Sequence, residues 1–428
     1  MKSRFLIKNI NYLNPVDFTL TTGNLIIDDG RICNIISSFD KNINVDDIIP
    51  ADNYIVFPGL INAHVHPSKI LYQGLYPRGV LSDILDLVHK NNKKETEEQQ
   101  FYSSLCCLLN HLKHGVTTFG IFTSRPREDI RAVNTLNVRA NICFSQNDTW
   151  NGEGTSPYIT NIDDILHNYN MISGLYETNR VVVSPATSSE LTASDRLISL
   201  YSEIAKEKKC KFFMHIHEGK DTVERYTIKN GNSAIEHLYR NKLISDMTCL
   251  IHSTSLSTLE KNMLYESRAS LIHCPSSNLF VNSGQMDLGY FSSKNVVSLG
   301  TDAAMINPVD SLTFEALLAY NTIYNFDFDT QISAKKLLKM LTVDGARTLG
   351  LNKLGLIDIG FIADLIFFDK RDFTYPYVNT PLSLLTMLHR ETPSKIMLDG
   401  CFLDFNTIKN SSPVLSKMFK YLNATRHI

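Results

Sequence analysis

Hydrophobic and polar positions fall into three regimes along the chain. Up to about residue 55, short apolar runs alternate with polar turns. Leu25-Ile26-Ile27 is followed by Asp28-Asp29-Gly30 and then by Arg31-Ile32-Cys33-Asn34-Ile35-Ile36. This reads as strand, turn, strand, with Asp-Gly as the hairpin signal. From His64 to about Leu349, short runs rich in β-branched and aromatic residues alternate with longer stretches of helical spacing. The predicted strands are the run ending at His64-Val65-His66, then 116–120, 139–144, 181–185, 211–217, 248–252, 269–273 and 296–302. Helices are expected between them, as over 194–208 and 312–324. Eight strand-helix units spanning roughly 290 residues imply a (β/α)8 barrel of the TIM type. After Leu349 short strands return, at 364–369 and 395–400.

The two chain ends can therefore pair. The expected organisation is a small composite β domain, a β-sandwich built from residues 1–56 and 355–428, beside a barrel of residues 57–354. The last dozen residues are expected to be a helix or a frayed tail.

Composition narrows the class. A formal net charge of -2 argues against a nucleic-acid binder, which needs a basic face. No apolar run approaches a membrane span, and the N-terminus lacks a secretory apolar region. The cysteines, Cys33, Cys106, Cys107, Cys143, Cys210, Cys249, Cys274 and Cys401, are scattered without Cys-x-x-Cys pairing. They read as reduced core residues of a cytoplasmic protein. A homodimer is the expected assembly.

Candidate chemistry sits at the strand ends. In Pro58-Gly59-Leu60-Ile61-Asn62-Ala63-His64-Val65-His66, the histidines share one face of a strand. His215, His217 and Glu218 end the fifth strand, His252 the sixth, His273 the seventh and Asp302 the eighth. The C-terminal ends of barrel strands converge on one mouth, where barrel enzymes carry their active sites. Any one of these histidines alone is more often a core or surface residue. The set is not, because strand ends in a core are filled by Val, Ile or Leu. Neutral imidazoles with a carboxylate suit one borderline divalent ion, Zn²⁺ or Fe²⁺, and leave a position for water. Such a site performs metal-assisted hydrolysis: a carboxylate takes the water's proton and a second acid protonates the leaving nitrogen. Spacing does not choose between His215 and His217.

These motifs resemble the amidohydrolase superfamily. The resemblance runs from the His64 segment through Gly115-Val116-Thr117-Thr118, His215-Ile216-His217-Glu218, His273-Cys274-Pro275-Ser276-Ser277-Asn278 and Gly300-Thr301-Asp302-Ala303. It ends at Gly360-Phe361-Ile362-Ala363-Asp364-Leu365. It is strongest to the cytosine deaminase-like and triazine hydrolase branch. It implies His64, His66, His215 and Asp302 as metal ligands and Asp302 as base for the water. Glu218 becomes the proton shuttle and His252 a polarising group; the duties of His217 and His273 stay open. Binuclear relatives bridge two metals with a carboxylated lysine on strand 3 or 4. Segments 139–144 and 181–189 contain no lysine, so one ion, Zn²⁺ first, is expected.

The implied activity is hydrolytic deamination of a small nitrogen heterocycle, such as a purine, pyrimidine, pterin or triazine. Nucleoside-deaminating relatives carry Ser-Pro-His after strand 4 and Arg-Gly after the first histidines. Here Ser184-Pro185-Ala186 and Gln73-Gly74 stand instead, and the heterocycle is left open. Gln73, Arg78, Trp150 and Asn278 are candidate substrate contacts, with a solvated or packing role competing at Arg78 and Trp150. Two other readings keep the barrel: a hydrolase that opens a cyclic amide or displaces another leaving group, and an inactive barrel serving as a binding protein. The run Asn91–Glu98 reads as a solvated helix start, and His111 and His114 as structural residues at a helix end. Phosphate-loop, nucleophile-elbow, dinucleotide and cysteine-based deaminase motifs are missing.

Overall fold

The computed structural model describes residues 4–38, 43–322 and 333–404, with Pro413, Ser416, Lys417 and Lys420. The expected C-terminal helix or tail and the end of the predicted 312–324 helix lie largely outside them. Two eight-stranded sheets organise the chain. The barrel strands, numbered here 1 to 8, are Leu60–Val65, Val116–Thr123, Arg139–Ser145, Val181–Ser189, Phe212–Ile216, Thr248–His252, Ser270–His273 and Val297–Leu299. Neighbours along this series pair in parallel. A parallel bridge between Val65 and Asp302 brings the last strand back to the first. Helices connect the strands, as the (β/α)8 expectation requires.

All eight strands exist where the alternating pattern placed them, but strands 5 and 8 are shorter than read. Strand 5 stops at Ile216 and strand 8 at Leu299, so His217 and Asp302 stand beyond regular strand. Helix starts follow side-chain chemistry. Thr96, Asn161, Ser194 and Ser257 each accept a hydrogen bond from a first-turn backbone N–H.

Both chain ends build the second sheet. Its order is Cys401–Phe402, Lys395–Leu398, Leu365–Asp369, Tyr54–Pro58, Phe5–Leu13, Leu20–Asp28 and Arg31–Ile36, with Asp47–Pro50 also on Phe5–Leu13. The hairpin turns at Asp29 and Gly30 with φ of 45° and 78°, the left-handed pair that Asp-Gly favours. Arg139 at the start of barrel strand 3 is buried and bonds Asp364 at 3.2 Å and Asp399 at 2.6 Å, tying the barrel to this sheet. Five cysteines are buried, as expected. Cys33 and Cys106 are half-buried and Cys401 is exposed, so the core reading fails at those three. Among the described residues, no helix is long and apolar enough to cross a membrane.

Candidate active site

Strands 1 and 8 meet closely at the barrel mouth. A Cβ on Gly300 would lie 2.6 Å from the Cβ of His64, so only glycine permits this approach. Asn62 then locks the pair: its Nδ2 donates to Thr301 Oγ1 at 2.8 Å, and the Thr301 N–H donates to its Oδ1 at 3.1 Å. The Asp302 N–H donates to the His64 carbonyl at 3.0 Å, and the His66 N–H to the Asp302 carbonyl at 3.3 Å. These bonds hold Asp302 in the left-handed region, φ 61°, an unfavourable backbone state for a residue with a side chain.

Imidazoles converge there on one carboxylate. The Nε2 atoms of His64 and His66 each lie 3.5 Å from Asp302 Oδ1. His215 Nε2 lies 3.2 Å from His64 Nε2. His215 Nδ1–H donates to the Ser188 carbonyl at 2.6 Å, so its Nε2 offers a lone pair to the centre. Asp302 Oδ2 and His252 Nε2 are buried without a hydrogen-bond partner. Facing ring nitrogens and an orphaned carboxylate oxygen are what a divalent cation satisfies, so the donor set fits a metal.

Burial sets the protonation. It pushes His64, His215 and His252 below the usual imidazole value, and His66 down to about 3, which keeps all four neutral, the form in which an imidazole can bind a cation. Burial alone would raise Asp302, but the His64 hydrogen bond and the attraction of His64, His252 and His66 in their protonated form outweigh it and hold the carboxyl well below its ordinary range. Glu218 goes the other way. Burial first, then the charges of Asp302 and Asp221, push it well above the glutamate range, so it keeps a proton. Within one cavity the two carboxyl groups are thus shifted in opposite directions, a division that suits base and acid.

His252 stands between them, with Nε2 3.6 Å from Glu218 Oε1 and 3.9 Å from Asp302 Oδ2. Its Nδ1–H donates to Asn278 Oδ1 at 2.8 Å, which fixes the ring and its tautomer. The expectation that His217 faces the same way as His215 fails. Alternation ends with the strand, and φ 49° turns His217 aside. Its N–H donates to Glu190 Oε1 at 3.1 Å and its Nδ1 to the Ser255 carbonyl at 3.0 Å. His273 is buried beside Asn278 and does not line the cavity.

The cavity above this centre has an apolar side, with Leu81, Ile84, Leu85 and Val88 from helix Leu81–Asn92 facing Phe122 and Met305. Trp150 lines it, edge-on to His89 with centroids 5.4 Å apart. Of the other expected contacts, Asn278 lies behind His252. Gln73 and Arg78 are outside the lining: Gln73 Nε2 donates to the Pro308 carbonyl at 3.0 Å, and Arg78 is exposed. Lys69, Arg125 and Glu190 line the cavity and escaped the sequence reading. The only signal for Lys69 was its place three residues after His66.

Asn91–Glu98 needs a related correction. A helix does start there, at Glu97 behind the Thr96 cap, but the Glu95 side chain is 1% exposed and pairs with Lys69 at 2.6 Å and with Arg125. His111, by contrast, is structural: its Nε2 lies 3.0 Å from Asp310 Oδ1, joining helix Glu97–Lys113 to the loop after Asp302. His114 caps that helix, its Nδ1–H donating to the Asn110 carbonyl at 2.8 Å.

A model of the amidohydrolase family matches residues 55–402. The chain belongs to the amidohydrolase family. Over 97% of its length it is 28% identical to the whole of a 5-methylthioadenosine/S-adenosylhomocysteine deaminase of Pyrococcus furiosus. The fold is shared with two zinc-bound crystal structures. An atrazine chlorohydrolase of Arthrobacter aurescens TC1 superposes with a TM-score of 0.87, at 18% identity, over 98% of this chain and 99% of that one. An adenosine deaminase of Xanthomonas campestris gives 0.82, also at 18% identity, over 99% of each chain. As an amidohydrolase, the chain is a hydrolase with a histidine-rich centre that fits a metal.

Proposed function

We propose that this amidohydrolase is a metal-dependent aminohydrolase that replaces an exocyclic amine of a nitrogen heterocycle, purine-type first, with oxygen and releases ammonia. The observation that carries this reading is the placement of two carboxyl groups about one imidazole: Asp302 Oδ2 lies 3.9 Å and Glu218 Oε1 3.6 Å from His252 Nε2, and the two are shifted in opposite directions. Deamination needs both states at once: a base for water and an acid for nitrogen. The named relatives, deaminases of adenosine-type compounds, support the purine preference.

In this reading His64, His66, His215 and Asp302 hold one divalent ion, Zn²⁺ being the expected metal. Such an ion lowers the pKa of a water toward neutrality and so supplies hydroxide. Asp302, ionised and with Oδ2 free, accepts the water's proton. Glu218 delivers its proton to the ring nitrogen as the amine-bearing carbon is attacked. Asp302 then passes the water's proton to the exocyclic amine, the C–N bond breaks with ammonia leaving, and the hydroxyl proton of the adduct returns to Glu218 as the carbonyl forms. His252, held by Asn278, keeps its Nε2 lone pair turned to the centre, where it accepts a hydrogen bond from the attacking water. Phe122 and the Leu81–Val88 face limit bulk water at the ring.

A screen for ammonia release over purines, pyrimidines, their nucleosides, pterins and triazines tests the activity, alongside metal analysis of the purified protein. The expected result is about one equivalent of transition metal and ammonia from an aminopurine compound. Loss of turnover on chelation and its return with Zn²⁺ is expected too. Turnover without ammonia would assign the hydroxide to a different bond, and a metal-free active enzyme would overturn the ligand assignment.

A further inference from the structure

The cavity carries a second polar feature, on the wall built by the turn after strand 1 and the end of strand 2. Lys69, on the short 3-10 turn Pro67–Tyr72, and Arg125 both line the cavity, with side chains 8% and 24% exposed. Glu95 does not line it; it sits behind them and binds both. Two cations thus stand in front of one bridging carboxylate. Lys69 Nζ also donates to Asn92 Oδ1, which leaves one of its three N–H groups uncommitted. Arg125 spends Nη1 on the Glu95 carbonyl at 3.2 Å and Nη2 on the Glu95 carboxylate, and keeps further N–H groups of its fork. Asp129, the other carboxyl near Arg125, is occupied by Ser104 and Gln100 and does not line the cavity. Exposed Lys93 adds a third cation at the lining.

This arrangement is unlike an ordinary surface ion pair. The carboxylate fixes the cations from the rear, and among the described residues the acidic groups that also line the cavity, Asp302, Glu218 and Glu190, form no ion pair with them. A desolvated cationic face next to an apolar wall favours a ligand that brings the missing anion, through charge-assisted hydrogen bonds. We propose that Lys69 and Arg125, braced by Glu95, form a subsite for a carboxylate or phosphate carried by the substrate. The inference rests on the deaminase reading for its reaction, and it adds that the preferred heterocycle bears a negative charge. Arg125 and Lys69 are specificity residues in this account.

The test compares adenosine, adenosine 5′-phosphate and adenosine 5′-carboxylate on the metal-loaded enzyme. The expected kcat/KM for one or both charged compounds exceeds that for adenosine by about tenfold or more, falling in about 0.5 M NaCl. The better of the two identifies the anion. Lys69→Met and Arg125→Met should bring the charged-to-neutral ratio toward one, while Arg125→Lys keeps part of it. If Arg125→Met does not fold, Lys69→Gln carries the comparison. A wild-type preference for neutral adenosine, or a ratio unmoved by the variants, overturns the proposal. Trp150, the single tryptophan, lines the same cavity and gives a readout independent of turnover. If no compound releases ammonia, the deaminase reading fails. Quenching of Trp150 by the same three ligands still decides the subsite: tighter binding of the charged pair, lost in Lys69→Met, sustains it, and equal binding overturns it.

Discussion

Asp302 and Glu95 are both buried carboxylates at one cavity, and they are satisfied in opposite ways. Glu95 pairs with both Lys69 and Arg125, and its side chain is 1% exposed. Asp302 faces neutral imidazoles and leaves one oxygen without any partner. Glu95 is complete within the chain, whereas Asp302 is completed only from outside it. The difference separates a carboxylate that organises a wall from one proposed to hold a metal and take a proton.

The largest effect should come from Asp302. Asp302→Asn is expected to lower kcat by about 10⁴-fold, since the variant cannot accept the proton. The metal-free variant should melt close to the metal-free parent, because Oδ2 has no hydrogen-bond partner in the chain and Oδ1 has only the 3.5 Å approaches of His64 and His66. Near-normal turnover would end its assignment as base, and a sharply lower melting temperature would erase the contrast with Glu95. Glu95→Gln should do the reverse to stability. Leaving Lys69 and Arg125 without their carboxylate is expected to cost about 3 kcal/mol in denaturant unfolding. The sign with pH follows from the direction of the shift. Burial alone would raise the Glu95 carboxyl, but Lys69 and Arg125 hold it below the ordinary glutamate value. Its stabilisation is therefore full above that ordinary value and disappears as pH falls through the lower folded one. A Gln variant with unchanged acid-side stability would show that the cluster contributes nothing. The smallest effect is at Asn278. Asn278→Ala frees the His252 ring and should lower kcat about tenfold with metal content unchanged. Loss of metal in that variant would place His252 among the ligands.

His64, His215 and His252 of this candidate site were legible because they lie on regular strand, and His66 because it follows directly on one. His64 and His66 follow the period of 2, and the barrel follows from repeated strand-helix units. Legibility ends where the strands do. His217 was ambiguous on spacing, and only the left-handed turn after Ile216 removes it from the centre. Ser188 contributes a backbone carbonyl, which has no sequence signature. Lys69, Glu95 and Arg125 come from three separate connections, so no local pattern links them. The charge run at Asn91–Glu98 looks solvated because Lys93, Lys94, Thr96, Glu97 and Glu98 are exposed, while Asn92 and Glu95 turn toward Lys69. Burial of a loop carboxylate depends on what other loops bring to it.

The second sheet also bears on how the chain is made. Tyr54–Pro58 leads through Gly59 straight into the strand that carries His64, yet its own partner is Leu365–Asp369, with Pro58 opposite Leu365. During synthesis the N-terminal strands emerge long before that partner does, and one flank of Tyr54–Pro58 waits unpaired while the barrel is translated. The enzyme's slowest and most aggregation-prone interval is thus expected to end only when residues 365–369 arrive, so truncations just before them should yield insoluble chains despite containing every proposed metal ligand.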